Sequence, residues 1–125
     1  MIARRASKRR AQGGIRATGR RSLPPAEYAE LRRRIFERAA YRCECCRKNI
    51  ATEVEHAQSA GRGGEDSENN CWGTCRVCHR WKEAPFAKGR LVVRPLGDGQ
   101  FRWEEWKGPD KWTAHLIRIV RDGSL

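Results

Sequence analysis

The sequence predicts a small α+β domain that a metal site stabilises more than a large apolar core does. Six of its 125 residues are Cys, and four of them form two Cys-x2-Cys pairs. Apolar residues recur first at helical spacing and later in short β-compatible runs. The composition is polar, with 34% charged residues, 38% hydrophobic residues and a mean hydropathy of −0.85, so five Trp, three Phe and two Tyr must supply much of the core. At 14.4 kDa the chain suits one domain plus a tail. No apolar run approaches the roughly 18 residues of a membrane span. The first residues are basic but lack the apolar stretch of a secretory signal, so a reducing, cytoplasmic setting is expected.

Residues 1–22 form the first element, a flexible basic arm. They carry eight cations (Arg4, Arg5, Lys8, Arg9, Arg10, Arg16, Arg20 and Arg21) and no acid. The rest, with 19 basic and 15 acidic residues, has a net charge of only +4 out of +12. So few large apolar side chains cannot offset the entropy of ordering. A small chain of this charge is expected to attract a polyanion, most often nucleic acid.

The domain is expected over residues 23–125. Pro24 and Pro25 suit a helix entry, where a missing N–H costs nothing. Tyr28, Leu31, Ile35 and Ala39 then mark the inner face of a helix over residues 26–41. Arg32, Arg33, Arg34 and Arg38 cover its other faces, either as a solvated surface or as phosphate contacts. Residues 51–56 read as a strand and residues 59–70 as a Gly-rich loop. A short helix over residues 75–84 stops at Pro85. Two runs, 91–96 and 100–103, flank Gly97-Asp98-Gly99 and read as a β-hairpin. Residues 110–121 read as a closing helix capped by Asp110, with Trp112, Leu116, Ile119 and Val120 inward. The core thus spans about residues 41–84, and the C-terminal hairpin and helix span residues 90–122.

Cys43 and Cys46 form the first pair and Cys75 and Cys78 the second, with 28 residues between them. Two residues between thiolates let a tight turn aim both sulfurs at one tetrahedral ion. Two such turns fill four positions, which makes a closed, structural Zn²⁺ site. In small domains such a site contributes on the order of 10–16 kcal/mol of folding free energy. Cys45 and Cys71 remain outside the set, although Cys71 could pair with Cys75, and as a small apolar residue Cys71 would simply be buried.

Between the pairs lie Glu55-His56 and Asn70, and Cys78 is followed by His79 and Lys82. These residues, interleaved with the two Cys pairs, resemble the HNH endonuclease family over about residues 41–83. The likeness is to small phage and bacterial members with a four-Cys zinc site. It implies a ββα-metal fold and metal-dependent hydrolysis of DNA phosphodiester bonds, most often in duplex DNA, leaving 3′-hydroxyl and 5′-phosphate ends. It further implies that His56 is the general base on water, that Glu55 and His79 hold one catalytic divalent cation (Mg²⁺, or Mn²⁺ or Ni²⁺), and that Asn70 fixes the strand carrying His56.

Adjacent helical residues differ by about 100° around the axis, so His79 need not share the direction of Cys78. A Cys3His zinc site that includes His79 is the alternative. Glu83, four residues on, could join the catalytic cation or stay solvated. In a regular strand Glu55 and His56 face opposite sides, so the resemblance calls for a bulge or an irregular strand end. Arg62 and Lys82, with the arm residues Arg4, Arg5, Lys8, Arg9 and Arg10, are the candidate DNA contacts. His115 reads as structural or surface, and Trp72, Trp81, Trp103, Trp106 and Trp112 as packing more than base stacking. Two other readings share these features: a zinc-containing nucleic-acid-binding module without catalysis, and an accessory protein of phage packaging machinery.

Overall fold

The computed structural model describes residues 23–123. The basic arm, with Arg4, Arg5, Lys8, Arg9 and Arg10, lies outside them. The order of elements is α1 (Pro25–Arg38), β1 (Glu53–His56), β2 (Cys71–Thr74), α2 (Arg76–Lys82), β3 (Arg90–Gly97), β4 (Gln100–Lys107) and β5 (His115–Asp122). Single 3₁₀ turns at Ala60–Arg62 and Phe86–Lys88 punctuate the connections. The described residues form an α+β arrangement of two helices and two sheets. No helix among them is long and apolar enough to cross a membrane.

Helix α1 starts with Pro25 in its first turn, and its buried residues Leu31 and Ile35 follow the expected inner face. They pack with Cys71, with Leu23, Tyr28 and Val54 alongside. Arg38 ends the helix as a tie. Its guanidinium donates to both oxygens of Glu44 and to the carbonyls of Glu68 and Cys71, at 2.7–3.0 Å. Glu44 in turn accepts from the Gly73 N–H at 2.8 Å. One side-chain pair therefore joins the helix, the first Cys turn and β2.

Strands β1 and β2 form an antiparallel ribbon from Glu53↔Thr74 to His56↔Cys71 with no register shift. The main core lies between this ribbon, α2 and the second sheet. It contains Cys43, Cys45, Cys75 and Cys78 with Trp72, Leu91, Val93, Phe101 and Trp103. Trp72 and Trp103 meet edge to face at 5.6 Å. The five Trp divide as packing predicts for Trp72 and Trp103, whereas Trp112 is 81% exposed.

The second sheet has the order β3-β4-β5 and is antiparallel throughout. The hairpin falls where the Gly-Asp-Gly turn places it. Asp98 and Gly99 take φ of 56° and 72°, the left-handed pair that a tight two-residue turn requires. The closing helix is corrected to a strand. Residues His115–Asp122 pair with β4, and Asp110 caps only a turn, accepting from Trp112 N, Thr113 N and Thr113 Oγ1. Leu116 and Ile119, expected inward, are exposed, while Val120 packs against the core. Ile117, Ile119 and Val120 are β-branched and lose side-chain freedom in a helix. Pairing also satisfies the N–H and C=O groups along the outer edge of β4.

Candidate metal centre and adjoining carboxylate–imidazole cluster

The sulfurs of Cys43, Cys46, Cys75 and Cys78 all lie within 4.8 Å of one another. Cys46 Sγ and Cys75 Sγ are 3.9 Å apart. Around a tetrahedral ion with Zn–S bonds of about 2.3 Å, sulfurs sit about 3.8 Å apart, so this pair has the spacing of two ligands on one such ion. Local backbone builds it. Residue 47 carries a positive φ of 61° directly after the first pair. Cys75 is the N-cap of α2, and its sulfur accepts from Cys78 N at 3.4 Å and from Asn49 Nδ2 at 3.5 Å. Three of the four cysteines are buried and Cys46 is half-buried.

Without a cation the Cys43 and Cys78 thiols are held in their protonated form. A hydrogen bond with Cys78 and then burial push the Cys43 thiol up to about 12. The Cys78 thiol is also raised: its hydrogen bond with Cys43 acts the other way, but the one with Cys45 and burial outweigh it. A bound cation would reverse that balance, because thiolate is the ligand. Cys45 is buried against the cage and Cys71 lies in the α1 cluster, so neither belongs to the four.

His79 does not join them. Its Nδ1 is bonded to Glu55 Oε2 across the gap between α2 and β1. Glu53 Oε1 lies 3.8 Å from the same nitrogen and Glu83 Oε1 lies 3.5 Å from Nε2. One imidazole thus gathers three carboxylates beside the cysteine cage. Glu53 and Glu55 reach it together because they are two residues apart on one strand. Their neighbours take the opposite side: Val54 packs on the α1 cluster, and His56 stands opposite Cys71.

His56 therefore meets a different set of groups. Its Nε2 is 2.7 Å from Asp66 Oδ1, and the Asp66 side chain is 3% exposed. His56, Asp66 and Cys71 bring their ligand atoms within 4.8 Å of one another. The irregularity that would turn Glu55 and His56 to one side is absent from the ribbon, whose pairing is regular.

Asn70 is buried and works across the loop. Its Oδ1 accepts from Gln58 N at 2.8 Å, and its Nδ2 donates to the carbonyls of Gln58 and Glu65 at 3.0 and 2.9 Å. This clamp folds residues 58–70 back onto the end of β1. Gly64 is required there, since a Cβ would fall 1.7 Å from the Gln58 oxygen. The same fold-back buries Asp66. Sequence reasoning missed Asp66 because an acid in a Gly-rich polar loop reads as solvated, and only the Asn70 clamp brings it inward.

Fold and site define a small α+β protein with a four-cysteine cage able to hold a metal ion such as zinc. No family model matches the sequence, and neither a curated protein nor a solved structure matches it.

Proposed function

We propose that the chain is an HNH-type, metal-dependent endonuclease acting on DNA, with β1, β2 and α2 as a ββα-metal core. The observation that carries this reading is the meeting of Glu55 with His79, 24 residues apart, beside the four-Cys cage. A carboxylate and an imidazole on one face suit a divalent cation that keeps water ligands and takes substrate oxygens. Mg²⁺ favours the carboxylate, while Mn²⁺ and Ni²⁺ also accept the imidazole nitrogen. Glu53 and Glu83 stand close enough to His79 to join Glu55. When bound, such a cation supplies Lewis-acid stabilisation of the phosphoryl oxygens.

The chain's own residues supply the proton chemistry. Asp66 holds His56 by Nε2, which leaves Nδ1 as the nitrogen that takes a proton from water. Asn70 holds the loop that carries Asp66. Because Glu55 and His56 leave β1 on opposite sides, this reading requires the scissile phosphate at the His56 end of the ribbon, where both can reach it.

One observation favours a second reading, a zinc-containing DNA-binding module or packaging accessory protein without catalysis. The unbroken ribbon keeps His56 away from the Glu55–His79 face. A plasmid-nicking assay with Mg²⁺, Mn²⁺ or Ni²⁺, with and without chelator and with zinc content followed in parallel, separates the two. Nicking that depends on added divalent ion while zinc stays bound supports the nuclease. No cleavage of duplex, branched or single-stranded DNA with any of the three ions supports the module.

A further inference from the structure

A groove of about 560 Å³ runs between the loop after β1, the last turn of α2 and the outer face of β3. Its lining includes Arg62, Lys82, Arg90, Arg94 and Lys111 together with Phe86, and no acidic residue. Arg90 and Arg94 are held in place, the first over the Phe86 ring at 5.1 Å and the second by Glu104 at 3.0 Å. Arg62, Lys82 and Lys111 form no ion pair among the described residues. β3 explains the arrangement. Leu91 and Val93 are buried in the core, so Arg90, Val92 and Arg94 face the other way by strand alternation.

The groove adjoins both halves of the candidate site, since Ala57 follows His56 and Lys82 lies one turn beyond His79. On the side of α1, a cavity of about 800 Å³ is lined by Glu27, Glu30, Asp66, Glu68 and Asp98, with Arg34 and Arg38 already paired to glutamates. Among the described residues the acidic lining thus lies beside α1 and the basic lining beside β3, and a polyanion that approaches the site is favoured at the β3 groove.

We propose that this groove seats the phosphate backbone of one strand of duplex DNA, next to the scissile position. Cations spread along an open trough match a repeating charge better than a compact ligand. Phe86 and the arginine planes offer flat surfaces to sugars and bases. Arg90, Arg94 and Lys111 join Arg62 and Lys82 as contacts, and the hairpin becomes part of the DNA-binding surface. The inference rests on the nuclease reading only for its choice of substrate.

The test is fluorescence anisotropy of the full chain, zinc-loaded and without added divalent ion, on a short fluorescein-labelled duplex across a salt series. The variant is Arg62→Gln/Lys82→Gln/Lys111→Gln. Its control is Lys48→Gln/Arg76→Gln/Lys107→Gln, which removes the same charge at exposed cations outside the groove. If three phosphate contacts are lost, the log–log salt slope falls by about 2–3 and affinity at ~0.1 M salt falls at least tenfold, whereas the control moves little. Zinc content and melting temperature are measured for both, so that a folding defect is recognised. Equal slopes for the groove variant and the control overturn the proposal, as does a wild type that does not bind the duplex. A groove variant that loses its slope while the wild type nicks no DNA leaves the groove standing and removes the nuclease reading.

Discussion

The two histidines of the candidate site differ in what holds them, and this gives them different expected responses. His79 is gripped by Glu55 and flanked by Glu53 and Glu83. His79→Ala removes the nitrogen ligand without touching the sulfur cage. We expect loss of divalent-dependent nicking with zinc content unchanged, checked by metal analysis alongside the assay. Zinc lost together with activity would place His79 in the structural site. His56 is held by Asp66, a carboxylate with almost no exposure. His56→Ala should lower cleavage by at least about two orders of magnitude if the imidazole is the base. Asp66→Asn leaves the base in place but weakens its grip. It should lower kcat by about tenfold with KM little changed, and Asp66→Glu should restore part of the loss. Equal kcat in Asp66→Asn and wild type, at equal melting temperature, would remove Asp66 from the positioning role. The four cage cysteines were legible because two residues between thiols let one tight turn aim both sulfurs at a single point. Asp66 was not, because its burial depends on Asn70 closing a loop over twelve residues.

At the level of elements, legibility followed how local each determinant is. Helix α1 carries its own signal in Pro25, Leu31 and Ile35, and the hairpin carries its own in Asp98-Gly99. The last segment does not. Leu116, Ile119 and Val120 fit a helical stripe as readily as a strand, and the decision comes from the free edge of β4, which sequence spacing does not reveal. That sheet depends on a charge placed in its middle. Glu104 on β4 is 3% exposed and is met by Arg94, Arg102 and the Trp106 Nε1 at 2.8–3.0 Å. Burial pushes its carboxyl up, but the hydrogen bonds from Trp106 and Arg94, then the charges of Arg94 and Arg102, outweigh it and hold the group below its ordinary 4.5. A depressed carboxyl contributes stability above its ordinary value and loses it as the pH falls through the folded value. Glu104→Gln should therefore cost about 1–3 kcal/mol near neutrality. The gap to wild type should close as the pH falls below 4.5. Thermal melts of both proteins across that range measure it, and a gap independent of pH would show that packing, not charge, is what the substitution removes.

For the whole molecule, the cage occupies the place where a larger protein would have more core. Four of the nine residues in the main cluster are cysteines, and three of these are cage ligands. The first pair is tied to α1 through Glu44 and Arg38, the second opens α2, and Arg121 of β5 donates to the Cys45 carbonyl at 2.8 Å. Both sheets and both helices thus depend on one centre. Removing the ion leaves buried thiols in contact with no atom to coordinate them. Chelation should unfold the domain cooperatively, with loss of the near-ultraviolet signal of Trp72 and Trp103, whereas Cys45→Ser and Cys71→Ser should keep the metal. The dependence on pH has a definite sign. The Cys43 thiol, held near 12 when no cation is bound, must lose its proton for the ion to enter. Uptake therefore releases protons, and apparent affinity rises with pH. Lowering the pH from about 8 to about 6 should shift the chelator midpoint for unfolding to lower concentration, with proton release on zinc addition visible in a weakly buffered solution. A midpoint that does not move with pH, or unfolding by chelator that is equally complete in a variant lacking Cys43, would mean that something other than the four-thiolate cage holds the two sheets together.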